Sequence, residues 1–478
     1  MTFKYGSGFD EPQSVDSISR RRMLRQSAAA AVGGGAAALL GRAPVLAQAP
    51  NPAVAAAQAA AEAERQAGGR TAGTKFRALV RYANSLSMET LTLRPIHPQQ
   101  VVIRNQAAQT CYTTTAALNT ANAAMNAQIA GHGGVGVVLE VGSQVKRVQV
   151  GDQVIMAITP NCGACANCLN GRGDICAMFG RPVIATATMA DGAPVFTSPP
   201  AGPSGLSEIL VAWEEFVVPV FTKVPPAELS LLSCVSATGL GLAMCRFPVE
   251  AGSDVAVFGL GPVGMSAVQG ARIQGAKNIV GIDPIKYRRD LALKLGATAV
   301  IDPNVDKGND LIAKAQAMMA DVVPPGRFFV GQRRNDGGGF GGGRGAMYVL
   351  EAVGGTRFPL PAGVEAPLDM TGAEALQQAY TLTRGGGYLR TSGVGQPMGT
   401  TVTFPAGGWS NSSKTHVPGN YAGVQALRDL PRFVRLIEKG LFDAKSMIGQ
   451  TFPGDRMREA LQIAADRSQI TSVALFDA

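Results

Sequence analysis

The chain predicts an α/β protein in two parts, a β-rich domain followed by a doubly wound parallel sheet. Three observations carry that expectation. Short alternating strands with turn signals fill the stretch from Phe76. A glycine-spaced turn, Gly259-Leu260-Gly261-Pro262-Val263-Gly264, joins a buried-type strand to a helix. Helix and strand patterns then alternate as far as about residue 394. At 478 residues the chain is long enough for two cores.

The first residues read as an address. Ser19-Arg20-Arg21-Arg22-Met23-Leu24-Arg25 precedes a weakly apolar run from Ala28 to Leu40, and Val45-Leu46-Ala47 offers a small-residue cut site. Paired arginines before a weak apolar centre predict a twin-arginine signal over 1–47, cut after Ala47, which exports a protein already folded. A disordered basic tail would explain neither the apolar run nor the cut site. The expected destination is periplasmic or extracellular. Alanine-rich residues 48–75 read as a linker. Residues 1–47 carry six basic and three acidic side chains, so the formal charge of +9 falls to +6 without them. No lysine/arginine block follows that could track phosphates, which excludes nucleic acid as a partner, and no apolar run reaches membrane-spanning length.

In the β-rich part, strands are expected at Arg77–Ala83, Glu89–Leu93, Gln100–Ala107 and Val135–Val141. Within it Cys162, Cys165, Cys168 and Cys176 fall in fifteen residues, spaced C-x2-C-x2-C-x7-C. Two-residue gaps let successive sulfurs converge, and four thiolates close a tetrahedral zinc site with no open position. Two disulfides are the competing arrangement. A folded export route favours zinc, because the thiols load metal in a reducing compartment before leaving it. Three more residues have ligand chemistry: Cys111 at a strand end, His132 in Gly131-His132-Gly133, and Cys234 before Val235-Ser236-Ala237-Thr238. Spacing alone does not join them.

In the second part, the strand 254–259 leads into Gly259, Gly261 and Gly264, then a helix over 262–275. Gly259 serves the turn, Gly261 admits a pyrophosphate to the backbone, and Gly264 lets helix and strand pack closely. The strand Asn278–Ile282 ends at Asp283, nineteen residues past Gly264. A carboxylate there accepts from ribose hydroxyls and repels a 2′-phosphate, so NAD is expected over NADP. Further elements are expected at 286–295, 298–302, 308–320, 346–352, 371–384, 387–394 and 426–440. A mobile surface loop is expected over about 323–345, and a segment over the cofactor cleft at about 355–370.

Taken together, Cys111, Thr113, Gly131-His132, the four-cysteine lobe over 161–177 and Cys234 resemble the zinc-dependent medium-chain alcohol dehydrogenase family from about Phe76 onward. The resemblance implies a GroES-like catalytic domain over 76–235 and 442–478, and a Rossmann domain over 236–441. It implies two zinc ions per chain, a structural one at the lobe and a catalytic one held by Cys111, His132 and Cys234. Two thiols and an imidazole are the known ligand set of that family's catalytic zinc, which leaves a fourth position for the substrate oxygen. It further implies that Thr113 takes the alcohol proton, that Arg288 contacts the adenosine ribose, and that Thr238 lies near the nicotinamide. Cys245 is expected to be a small buried hydrophobe, and His97 and His416 to be non-catalytic.

The chain departs from the family at several positions. Gly133 stands where the family has glutamate after the zinc histidine. Thr114 replaces an acid and Ala116 replaces the histidine that relays protons to solvent. Tyr112 and Thr471 stand where basic residues contact the pyrophosphate. The implied function is hydride transfer between an alcohol or aldehyde and NAD, and export of the folded protein implies NAD retained in it, with an external acceptor taking the electrons. The alternative is an exported zinc protein of the same fold with reduced or lost turnover. A zinc-free NADP-linked quinone or enone reductase is disfavoured by the ligand set and by Asp283. A dimer or tetramer is implied by the family.

Overall fold

The computed structural model describes residues 71–119, 126–197, 202, 204–319, 345–356, 369–393, 399–404 and 412–476. The expected signal, all of the linker before Thr71, and the insertion at 323–345 apart from Gly345 lie outside the described residues.

Six strands form one all-parallel sheet. Their order is Ala299–Ile301, Asn278–Ile282, Asp254–Phe258, Ala346–Glu351, Thr383–Thr391 and Thr415–Pro418. Every residue of Asp254–Phe258 is buried, as a strand covered on both faces requires, and this is why it reads as a continuous apolar run. The chain winds outward from that strand through Asn278–Ile282 to Ala299–Ile301. It then crosses back to Ala346–Glu351 on the other side. That reversal opens a crevice at the carboxyl ends of Asp254–Phe258 and Ala346–Glu351, where open α/β sheets hold ligands.

Helices Pro262–Ile273, Lys286–Leu295, Gly308–Met318 and Ala373–Leu382 connect these strands close to where sequence periodicity predicts them. The strand expected at 387–394 begins at Thr383, directly after the helix, and its register jumps from Thr383 opposite Ala346 to Tyr388 opposite Tyr348, so Gly385-Gly386-Gly387 fall in an irregular stretch of the ladder.

In the β-rich part, strands Lys75–Tyr82, Ser85–Leu93, Ala187–Thr188, Pro194–Thr197 and Ala127–Ile129 close into a barrel. A second sheet centres on Gln100–Gln109, which pairs with Gly134–Val141, Ile209–Trp213 and Thr471–Leu475. The C-terminal strand thus returns from the parallel-sheet region to this sheet. Among the described residues no single helix is long and apolar enough to cross a membrane.

Gly264 is the tightest point in the connection after Asp254–Phe258, since a Cβ there would lie 1.7 Å from the Gly259 carbonyl oxygen. Gly264→Ala is expected to destabilise the fold by about 3 kcal/mol or more, because backbone rather than a movable side chain must yield. A thermal-unfolding midpoint within a degree of the parent would contradict that.

Candidate metal centres and dinucleotide cleft

Three chain segments converge on one point. Cys111 ends the strand Gln100–Gln109 after one intervening residue and caps the 3-10 helix Tyr112–Leu118. His132 sits between two glycines with φ of 82° and 72°, a left-handed bend that other residues rarely adopt. Cys234 caps the helix Val235–Met244. Their ligand atoms lie within 4.8 Å of one another. His132 Nε2 is 3.2 Å from Cys234 Sγ, which is 3.9 Å from Cys111 Sγ. At a Zn–S bond of about 2.3 Å, tetrahedral sulfurs stand about 3.8 Å apart, so the set fits a zinc ion.

The thiols are protonically unequal. The hydrogen bond from Cys234, with help from the imidazole, holds Cys111 well below the usual thiol range, whereas the same bond and burial push Cys234 up. Two buried sulfurs and an imidazole gathered at one point are a donor set that suits a cation. Thr113 Oγ1 lies 3.1 Å from Cys111 Sγ, at the edge of the centre.

Cys162, Cys165, Cys168 and Cys176 form the second centre. All four are free thiols, with ligand atoms again within 4.8 Å. Sγ atoms of Cys162 and Cys168 are 3.9 Å apart, and those of Cys165 and Cys176 are 4.0 Å apart, near the edges of a tetrahedron and far from a disulfide bond. Backbone N–H groups of Ala164 and Cys165 point at Cys162 Sγ, and that of Met178 at Cys176 Sγ, an arrangement that favours thiolate. Backbone donation, first from Ala177, draws the Cys165 thiol down to about 6.

The crevice beyond Cys111 is lined by Gly259, Gly261, Val263, Asp283, Arg288 and Arg467, among others. Gly259 has φ 80°, and a Cβ on it would meet the Ala352 carbonyl oxygen at 2.9 Å. At Gly261 the nearest atom to such a Cβ is Arg288 Nη1 at 3.7 Å, so that backbone faces open space. This cradle and the helix start at Pro262 fit a dinucleotide pyrophosphate. The Asp283 carboxylate accepts from the Leu260 and Ile285 N–H groups at 2.7 and 2.8 Å, which fixes it at the strand end.

Arg288 is buried, 3.8 Å from Asp283, with its Nε donating to Tyr287 Oη. Thr238 is placed less directly: its hydroxyl donates to the Cys234 carbonyl, and the cleft wall at that helix is Val235. His97 packs at a tilt against Trp213 and His416 Nε2 meets Thr391 Oγ1, both away from the centre. Cys245 is buried with its thiol 3.4 Å from Asp429. Of the segment expected over the cleft, Gly355 and Asp369 do line it, while 357–368 lie outside the described residues.

Sequence reasoning missed three participants. Ser233 explains Gly133: a Cβ at Gly133 would stand 2.5 Å from Ser233 Oγ, whose hydroxyl is fixed on the Ser230 carbonyl. Arg467 lies in the cleft with its guanidinium 4.5 Å over the Tyr112 ring, in a left-handed conformation (φ 54°) that costs of order 1 kcal/mol. Its sequence signal is weak: it lies four residues before Thr471, where the resemblance implies an arginine. Glu351 is a buried carboxylate at the crevice edge, accepting from Val353 N–H at 2.7 Å and Gly393 N–H at 3.3 Å.

Two outcomes are expected. Gly133→Glu, which restores the family residue, lowers stability by about 2–4 kcal/mol through the left-handed backbone and the Ser233 clash, and does not raise turnover; a stable, faster variant would contradict this. Burial raises Glu351 from 4.5 to about 7. Between those values the folded protein keeps a proton that the unfolded chain has released, so this group's contribution to stability falls as pH rises through that window. Glu351→Gln therefore flattens the pH–stability curve between 4.5 and 7, measured by denaturant unfolding at each pH.

Comparison with known proteins supports the two-part reading. A family model described as the alcohol dehydrogenase GroES-like domain matches residues 97–222, and one described as zinc-binding dehydrogenase matches 262–360. S-(hydroxymethyl)glutathione dehydrogenase of Saccharomyces cerevisiae is 32% identical over 47% of this chain and 60% of its own length. Alcohol dehydrogenase-like 7 of Arabidopsis thaliana is 26% identical over 81% of this chain and 91% of its own. Benzyl alcohol dehydrogenase of Acinetobacter calcoaceticus superposes with a TM-score of 0.68 at 23% identity, covering 84% of this chain and all of that one. The first two curated relatives, each above 30% identity, are matched over about three fifths of their length. Both domain models match in order, and the fold, a GroES-like domain joined to a Rossmann-type domain, is shared with the structural neighbours.

Proposed function

We propose that this protein is a zinc-dependent alcohol dehydrogenase that moves hydride between the carbinol carbon of an alcohol, or the carbonyl of an aldehyde, and the nicotinamide of NAD. The convergence of Cys111, His132 and Cys234 beside a dinucleotide crevice carries the reading. Zinc bound there supplies a Lewis acid that lowers the pKa of the substrate hydroxyl. The chain does the rest. Thr113 stands at the ligand Cys111 with a hydroxyl able to accept the alcohol proton and pass it outward. Gly259 and Gly261 would receive the nucleotide at the crevice, with Gly264 letting the following helix pack closely, and Val235 supplies an apolar part of the crevice wall. Asp283, a buried carboxylate lining the crevice, would favour NAD by accepting from ribose hydroxyls and repelling a 2′-phosphate.

The twin-arginine-type N-terminus extends the proposal to export of the folded protein, as a dimer or tetramer, carrying zinc and NAD out with it. No maintained NAD pool exists outside the cytoplasm, so an external acceptor would then collect the electrons. A competing reading, a zinc protein with reduced or lost turnover, is motivated by Gly133, Thr114 and Ala116.

Alcohol-dependent dye reduction by the purified protein, with metal analysis, separates the two. The native protein is expected to hold two zinc ions per chain. Cys111→Ser is expected to lose one of them and at least 100-fold of the activity, since it removes a ligand of the reacting site. Loss of a zinc ion with no activity in either protein would favour the binding role.

A further inference from the structure

We propose that Arg467 is the cation that holds the nucleotide pyrophosphate in this protein, with Tyr112 as its platform; this rests on the dinucleotide reading above. The resemblance implies basic residues at positions 112 and 471, which here are a tyrosine and a threonine. Thr471 cannot substitute: it is buried in the C-terminal strand, with its hydroxyl near the Thr110 carbonyl. The charge enters the crevice four residues earlier.

Four observations converge on Arg467. It lines the crevice together with Gly261, Pro262 and Arg288, where the free N–H groups of the helix Pro262–Ile273 begin. Its guanidinium carbon lies over Tyr112, 4.5 Å from the ring centroid, so the tyrosine that replaces a basic residue becomes the surface carrying one. Its backbone is pinned, since Tyr287 Oη donates to the Arg467 carbonyl at 2.8 Å while accepting from Arg288 Nε. Among the described residues no carboxylate pairs with it; its one polar contact is a long 3.5 Å bond to the Gly355 carbonyl. A guanidinium held beside a second arginine, without an anion of its own, suits a ligand that brings two negative charges.

The left-handed backbone supplies a clean variant. At φ 54° glycine is favoured, so Arg467→Gly removes the charge while relieving the turn. A merely structural arginine would lose stability on that change. Calorimetric titration of the full-length protein with ADP-ribose and with adenosine, and a thermal melt, read the outcome. The expected result is an ADP-ribose affinity at least 10-fold weaker in Arg467→Gly, adenosine affinity within twofold, and a melting midpoint unchanged or raised, in keeping with the loss of a charge-assisted bond pair. Arg467→Lys should recover part of the affinity, and Tyr112→Leu should weaken ADP-ribose alone.

ADP-ribose binding within twofold of native in Arg467→Gly overturns the assignment and leaves the dinucleotide reading intact. Equal weakening of both ligands also overturns it, since the residue would then act through the shape of the crevice. If the native protein binds neither ligand, the dinucleotide reading falls first and the assignment with it.

Discussion

The arrangement depends on bringing two thiols and one imidazole into contact inside a hydrophobic core. Cys111 and Cys234 belong to the largest apolar cluster among the described residues, with Val235, Leu232 and Tyr421. Burying polarisable, titratable groups there is unfavourable unless something rewards their approach. The hydrogen-bonded thiol pair and the imidazole at 3.2 Å make a partial reward, and a divalent cation makes the full one. The surrounding backbone follows from that demand. His132 reaches the point only because two left-handed glycines fold its loop back, and Cys234 only because its φ/ψ of −146° and −78° turn the chain sharply into a helix.

Gly133 and Ser233 show how one constraint answers another. The family glutamate at the position after the histidine needs a Cβ, and here that Cβ would press on Ser233 at 2.5 Å. The serine hydroxyl in turn caps the preceding turn through Ser230. The departure at Gly133 is therefore a packing solution shared by two segments, not an isolated loss. Read from the chain alone it resembled a missing functional group, since the residue that fills the space lies a hundred positions away.

That distance separates what the chain disclosed from what it concealed. Asn278–Ile282 and Lys286–Leu295 were legible residue for residue, because a fully covered strand is an unbroken apolar run and an amphipathic helix repeats every 3.6 residues. The four-cysteine spacing was legible because it is local. Ala187–Thr188 and Ala127–Ile129 were not anticipated, since two or three residues cannot show an alternation and their strand character comes wholly from closing the barrel. Arg467 over Tyr112 was invisible for a stronger reason. Only the return of Thr471–Leu475 to pair with Gln100–Gln109 brings the two residues to one crevice.

The two metal centres are joined by the same logic of contact. The turn Gly173–Ile175 of the cysteine lobe packs on Asn420–Gly423, with Gly419 close to the buried Asp174 carboxylate and Gln425 against Gly171. Within that segment Tyr421 and Ala422 hold left-handed backbones, which aims the Tyr421 hydroxyl at the Leu232 and Ser233 carbonyls, 2.7 and 3.0 Å away. Those carbonyls immediately precede Cys234. A closed centre thus braces the very segment that fixes a ligand of the open one. The division of labour follows from coordination: four thiolates leave nothing to react, so their value lies in rigidity, and rigidity is what a three-ligand site with one vacant corner needs most.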